Sequence, residues 1–106
     1  MIEFSDNFLA ETKKLFKKYR SIKQDLKKAI NEIEVDKNIG TPLGNNLYKK
    51  RVPNSSIPTG KSGGFRIIIY QQVKDKIVLI SIYSKTQKET LSNIELKQII
   101  HEYFKD

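Results

Sequence analysis

The sequence predicts an α+β fold, in the order β-α-α-β-β-β-α. An N-terminal helical hairpin and a C-terminal helix pack on one side of a twisted antiparallel sheet. Three observations predict it. Apolar residues recur at helical spacing in two stretches near the start and one at the end, while the middle of the chain holds β-branched and aromatic runs that alternate. The chain has 106 residues, 38% of them hydrophobic, which suits a single domain over residues 1–106 with one modest core.

The elements follow in order. Ile2 to Phe4 forms a short strand, and Ser5 or Asp6 supplies an N-cap. From Asn7 to about Tyr19, Phe8, Leu15 and Tyr19 define an apolar stripe opposite Lys13, Lys14, Lys17 and Lys18. A second helix runs from Ser21 to about Val35 on a stripe of Ile22, Leu26, Ala29, Ile30 and Ile33. Gly40 to Asn46 is a loop by its Gly, Pro and Asn content. Leu47 to Val52 alternates as a strand, which Pro53 ends or confines to an edge. Asn54 to Gly64 is a second loop. The last helix, about Asn93 to Phe104, opens with the capping-box pattern Ser92-Asn93-Ile94-Glu95.

The strongest local signal is a hairpin, Phe65 to Val73 and Lys76 to Lys85, turning at Lys74-Asp75. A two-residue turn and a four-residue loop centred there give one register. Phe65, Ile67 and Ile69 then lie against Ile82, Ile80 and Val78 on an all-apolar face. The opposite face pairs Arg66, Ile68, Tyr70 and Gln72 with Tyr83, Ser81, Leu79 and Ile77. A slip of one residue would destroy this segregation.

Charge narrows the function. Twenty Lys and Arg against twelve Asp and Glu give a net charge of +8. Such a domain favours phosphate-rich partners, because each neutralised phosphate releases counterions. No acid lies between Asp36 and Asp75, a stretch that holds Lys37, Lys49, Lys50, Arg51, Lys61, Arg66 and Lys74. The absence of cysteine removes disulfides and thiolate metal sites. No apolar run reaches the roughly 18 residues of a membrane span, and the N-terminus carries acid where a secretory signal carries base. The expected location is therefore the cytoplasm.

In the hairpin register Arg66 sits opposite Tyr83, and Lys85 opposite Gly64 on the same face. Lys61 and Lys88, on adjoining loops, are within reach of that spot. A guanidinium, a phenol and ammonium groups suit a phosphodiester. Cations stabilise a pentacovalent phosphorane, a tyrosine donates a hydrogen bond or stacks on a base, and a lysine among cations has a lowered pKa that fits it for proton transfer. Lys49, Lys50 and Arg51, beside Tyr48, either track an RNA backbone or protect an edge strand from aggregation. The lone histidine, His101, is next to Ile100 and Glu102 in the last helix and reads as structural. With no acids in the basic stretch there is no carboxylate cluster for Mg²⁺, and neither metal nor cofactor is expected. Gly60-Lys61-Ser62 lacks the glycine that a phosphate-binding P-loop needs, Ser55 being there instead, and a strand follows rather than a helix.

The stretch from Lys61 to Tyr70, followed by Ile80-Ser81-Ile82-Tyr83-Ser84-Lys85, resembles the RelE/HigB branch of the RelE/ParE toxin superfamily. The family pattern is a basic residue, small residues, an arginine, an apolar strand ending in tyrosine, and a second strand leading into a Lys- or Arg-bearing segment. The order of elements upstream and the terminal helix fit as well, so the resemblance spans nearly the whole chain. It implies a toxin of a type II toxin–antitoxin system. Such a toxin enters the ribosomal A site and cleaves messenger RNA without metal, by attack of the 2′-hydroxyl on the adjacent phosphate. The implied partners are a cognate antitoxin and the ribosome, with DNA met only through the antitoxin. Carried over by position, Arg66 and Lys61 clamp the phosphate, Lys85 or Lys88 transfers the proton, Tyr83 positions the nucleotide, and Lys49, Lys50 and Arg51 bind the RNA backbone. Leu91 and Ser92 stand where some relatives carry a catalytic tyrosine, which shifts weight to Tyr83 and Lys85. Two other readings stay open: a gyrase-inhibiting ParE-type toxin, and a non-catalytic RNA- or ribosome-binding module.

Overall fold

A computed structural model describes residues 1–57, 64–85 and 92–104 of the chain. The elements are β1 (Ile2–Phe4), α1 (Asp6–Lys18), α2 (Ile22–Asp36), β2 (Thr41–Gly44), β3 (Leu47–Val52), β4 (Phe65–Tyr70), β5 (Ile77–Ser84) and α3 (Asn93–Tyr103). The expected order therefore holds with one strand added. Thr41–Gly44, expected as loop, pairs with β3 and turns into it through Asn45 and Asn46, both in the left-handed region at φ 55° and 65°. Asparagine tolerates that region better than other side-chain-bearing residues, and two such residues in succession make a tight hairpin turn.

Five strands form one sheet in the order β1-β5-β4-β3-β2. From β2 to β5 the pairing is antiparallel, and β1 adds to the edge parallel to β5. A parallel neighbour requires a crossover rather than a tight turn, and the chain from α1 to β4 supplies it.

The helices lie on both faces of the sheet, a correction to the one-sided packing expected from sequence. Phe8, Leu15, Ile22, Leu26 and Ile33 of α1 and α2 pack with Phe65, Ile67, Ile69, Leu79 and Ile82. Leu96, Ile99, Ile100 and Tyr103 of α3 cover a second cluster of Leu47, Ile68, Val78, Ile80 and Tyr83. The physical reason is that both faces of β4 and β5 are apolar over most of their length. An uncovered second face would leave a large exposed patch.

The hairpin register holds at one end only. Phe65, Arg66, Ile67 and Ile68 meet Ser84, Tyr83, Ile82 and Ser81 as expected, but Ile69 meets Leu79 and Tyr70 meets Val78. Ile80 is the extra residue of a β-bulge, and beyond it Ile80 and Val78 belong to the α3 face instead of the helical-hairpin face. The connection is also longer than the two or four residues expected, since β4 ends at Tyr70 and β5 begins at Ile77.

The β5 groups left unpaired at the bulge and beyond the end of β1 are taken up by α1 and its cap. Ser5 caps α1 by accepting the Phe8 N–H (3.0 Å), and its hydroxyl donates to the Ile80 carbonyl (2.7 Å). The Asn7 amide donates to the same carbonyl (3.1 Å). Glu11 Oε1 accepts from the Ile82 N–H (3.1 Å), the Ser81 hydroxyl (2.8 Å) and the Asn7 amide (2.9 Å). At the other end of the chain Ser92 and Glu95 form the expected capping box.

Candidate functional site

Alternation along β3 sends Leu47, Lys49 and Arg51 to the α3 side of the sheet and Tyr48, Lys50 and Val52 to the other. On the α3 side Leu47 meets Tyr70, Lys49 meets Ile68 and Arg51 meets Arg66. Arg66 in turn meets Tyr83. The face is thus divided along its length. At the Leu47 and Tyr70 end it is apolar and covered by α3. At the Arg66 end it carries Arg51, Arg66 and Tyr83 in one cross-strand row, with Lys49 one pleat away.

Gly64 holds this end together. Its carbonyl accepts the Lys85 N–H (3.1 Å), which continues the β4–β5 pairing by one residue. By alternation Lys85 shares the face of Tyr83. A Cβ at Gly64 would lie 2.5 Å from the Val52 carbonyl oxygen, so only glycine allows β3 to approach so closely here. The close approach at Gly64 is thus one of backbone to backbone.

Arg66 is 3% exposed, and its Nη1 donates to the Phe65 carbonyl at 3.1 Å. Among the described residues no carboxylate pairs with it; the ion pairs there are Lys50–Glu32 and Lys76–Glu3. The Arg66 pKa is lowered, first by burial and then by Arg51, while Tyr83 opposes the shift. A guanidinium does not lose its proton in a protein, so the lowered pKa means a charge held at a cost. Tyr83 beside it is buried as well, at 2% exposure.

Lys50 separates from the cationic row. It lies on the helical-hairpin side, buried, with its Nζ 3.0 Å from Glu32 Oε1. Read from sequence with the RNA-binding group, it is instead engaged structurally between β3 and α2. Lys49 is half-buried and Arg51 exposed. Both border a shallow depression of about 390 Å³ that Gly40, Thr41 and Leu43 also line. The positions of Lys61 and Lys88 lie outside the described residues. In sequence they flank Gly64 and Lys85, the ends of the two strands at Arg66.

A larger and mostly apolar groove of about 760 Å³ runs between α1 and α2, lined by Phe8, Leu9, Leu26 and Ile30 among others. None of the cationic row reaches it. Among the described residues no group of three or more His, Cys, Asp or Glu side chains is placed to hold a metal ion, and no helix is long and apolar enough to cross a membrane. His101 is exposed on α3.

Sequence reasoning missed Glu11. Its signal was nonetheless present: the spacing Phe8, Glu11, Leu15 puts a carboxylate within the apolar stripe of α1, where it has to meet donors on the sheet.

A family model described as RelE toxin of RelE / RelB toxin-antitoxin system matches residues 8–103. No curated protein matches the chain.

Proposed function

Since the chain belongs to the RelE toxin family, the toxin half of a pair whose other member is a cognate antitoxin, we propose that it is an endoribonuclease that cuts messenger RNA on the ribosome and so stops translation in the cytoplasm. The observation that carries this reading is Arg66: a buried guanidinium, beside a second arginine and a tyrosine, with no carboxylate among the described residues to neutralise it. A buried charge without a counter-ion is expensive. A phosphate group laid across the row would neutralise it, and a phosphorane, which carries more charge, would neutralise it better.

The reaction is a transesterification within the RNA strand. The 2′-oxygen forms a bond to the adjacent phosphorus as the bond to the 5′-oxygen breaks. The 2′-hydroxyl proton passes to a base, and an acid protonates the departing 5′-oxygen. The products are a cyclic phosphate and a free 5′-hydroxyl. Arg66, together with Lys61, holds the non-bridging oxygens. Lys85 or Lys88 moves the proton. Tyr83 orients the nucleotide, and Lys49 and Arg51 follow the RNA backbone away from the cut.

Primer extension on cellular messages after induction tests this reading. The wild type leaves cuts inside coding sequences, and Arg66→Ala combined with Lys85→Ala leaves none while the protein still folds. A DNA-damage response without cuts would identify a gyrase poison instead. Salt-sensitive RNA binding without growth arrest would identify a non-catalytic binding module.

A further inference from the structure

We propose that Glu11 is a positioning residue of this site: from α1 its carboxylate pins the β5 bulge, and the bulge turns Tyr83 and Lys85 onto the face of Arg66. The inference rests on the reading of Arg66 as the phosphate-binding group.

The geometry is a matter of one residue. If the pairing of Ile69 with Leu79 and Tyr70 with Val78 continued without interruption, Arg66 would meet Ile82, and Tyr83 would meet Phe65. Tyr83 would then point into the helical-hairpin core, with Ile82 in its place beside the guanidinium. The extra residue at Ile80 moves every later partner by one, so Arg66 meets Tyr83 instead. The chemistry-bearing end of the hairpin therefore depends on a bulge several residues away.

At the bulge and just past it, where β1 has ended, β5 has backbone groups that no strand pairs, and buried groups of that kind need partners. Here the partners are all in one place. The Ile80 carbonyl accepts from the Ser5 hydroxyl (2.7 Å) and the Asn7 amide (3.1 Å). The Ile82 N–H donates to Glu11 Oε1 (3.1 Å), as does the Ser81 hydroxyl (2.8 Å). Glu11 is the only one of the three α1-end residues that grips the chain on the Tyr83 side of the bulge. Its charged oxygen makes those bonds stronger than neutral ones. Ile82 is followed directly by Tyr83, so fixing the Ile82 amide fixes the strand at the point where the phenol leaves it. Misplacing a reacting group by about 1 Å costs on the order of 10²-fold in rate.

The test combines NMR of the ¹⁵N-labelled protein with single-turnover cleavage on ribosomes programmed with a short defined mRNA. Glu11→Ala should expose the Ile82 amide to hydrogen exchange, shift the Arg66 side-chain Nε–H and Tyr83 ring signals, and slow cleavage at saturation roughly 10- to 100-fold, with ribosome affinity unchanged. Glu11→Gln keeps an acceptor oxygen at the same reach and should recover most of the exchange protection, the signals and the rate. If Glu11→Ala does not fold, Glu11→Asp, whose carboxylate is one methylene short, should give the same losses. The proposal is overturned if the Ile82 amide is exposed while the Arg66 and Tyr83 signals and the cleavage rate stay as in the wild type. It is equally overturned if Glu11→Gln fares no better than Glu11→Ala. Should Arg66→Ala itself still cleave, the reading of the site has failed rather than the role of Glu11, and the Arg66 and Tyr83 signals alone then decide.

Discussion

Arg66 is held where a neutral side chain of similar length would cost less. It is 3% exposed, with Arg51 on one flank and Tyr83 on the other. Function and stability should therefore separate at this position. Arg66→Met is expected to leave the unfolding free energy unchanged or to raise it by about 1 kcal/mol, while lowering cleavage roughly 10²- to 10³-fold. Urea denaturation and single-turnover cleavage on the same preparation measure both. Lysines 49 and 50 should separate in the opposite sense. Lys50→Ala breaks the buried pairing with Glu32, whose side chain is 38% exposed and so can be rehydrated. The expected loss is about 1 kcal/mol of stability, with RNA affinity retained. Lys49→Ala should leave the melting temperature in place and weaken RNA binding. At this scale the sequence was readable in its result rather than its route: strand periodicity with a tight turn at Lys74-Asp75 puts Arg66 opposite Tyr83, and the structure forms that pair through a longer connection and a bulge. Which of three consecutive basic residues meets an acid was not readable, because Glu32 arrives from a helix whose rotation over the sheet no local pattern reveals.

Among the helices, α3 is the one with no buried residue. It packs on the sheet through half-buried Leu96, Ile99, Ile100 and Tyr103, and is anchored at its start by the Ser92 capping box and near its end by the Tyr103 phenol, which donates to Glu3 Oε2 at 2.8 Å. Its amides should exchange with solvent faster than those of β5, all of whose residues are buried. Ser92→Ala should widen that difference at a cost of about 1 kcal/mol in helix stability. The anchor at the other end gives a pH dependence. Tyr103 is raised from 10.0 to about 12, first by burial, then by its hydrogen bond to Glu3 and by the Glu3 charge. The unfolded chain therefore loses this proton first. The contribution of Tyr103 is complete below about pH 10 and is lost as pH rises toward 12. Urea denaturation at pH 9 and again near pH 12 should find wild type and Tyr103→Phe well separated at the lower pH and close together at the higher. The helices and the capping box were legible from periodicity and cap chemistry. The bulge in β5 was not, because Ile77-Val78-Leu79-Ile80 is apolar throughout and gives alternation nothing to hold. Its only trace is Glu11, which sits in another element.

For the molecule as a whole, the sheet divides two tasks between its faces. One face buries the core under α1 and α2. The other is apolar under α3 as far as Tyr83 and cationic beyond it, where Arg66 meets Tyr83 on one side and Arg51 on the other, with Lys49 alongside. Sequence alone placed the basic residues in one acid-free stretch but packed all helices on one side. The second cover became apparent only once the bulge had moved Ile80 and Val78 to the α3 face. A surface of this kind should bind RNA with a strong salt dependence, and replacing Lys49 or Arg51 by alanine should each reduce the salt slope by about 1. Measuring the affinity for a short single-stranded RNA at several salt concentrations checks this.

The most direct test of the proposed chemistry is the identity of the ends it makes. Purified wild-type protein and Arg66→Ala are each incubated with ribosomes carrying a defined mRNA, and the downstream fragments are probed for a 5′-hydroxyl by kinase labelling without prior phosphatase treatment. Labelled fragments are expected from the wild type and none from Arg66→Ala. Fragments that label only after phosphatase treatment, or equal cutting by both proteins, would contradict it.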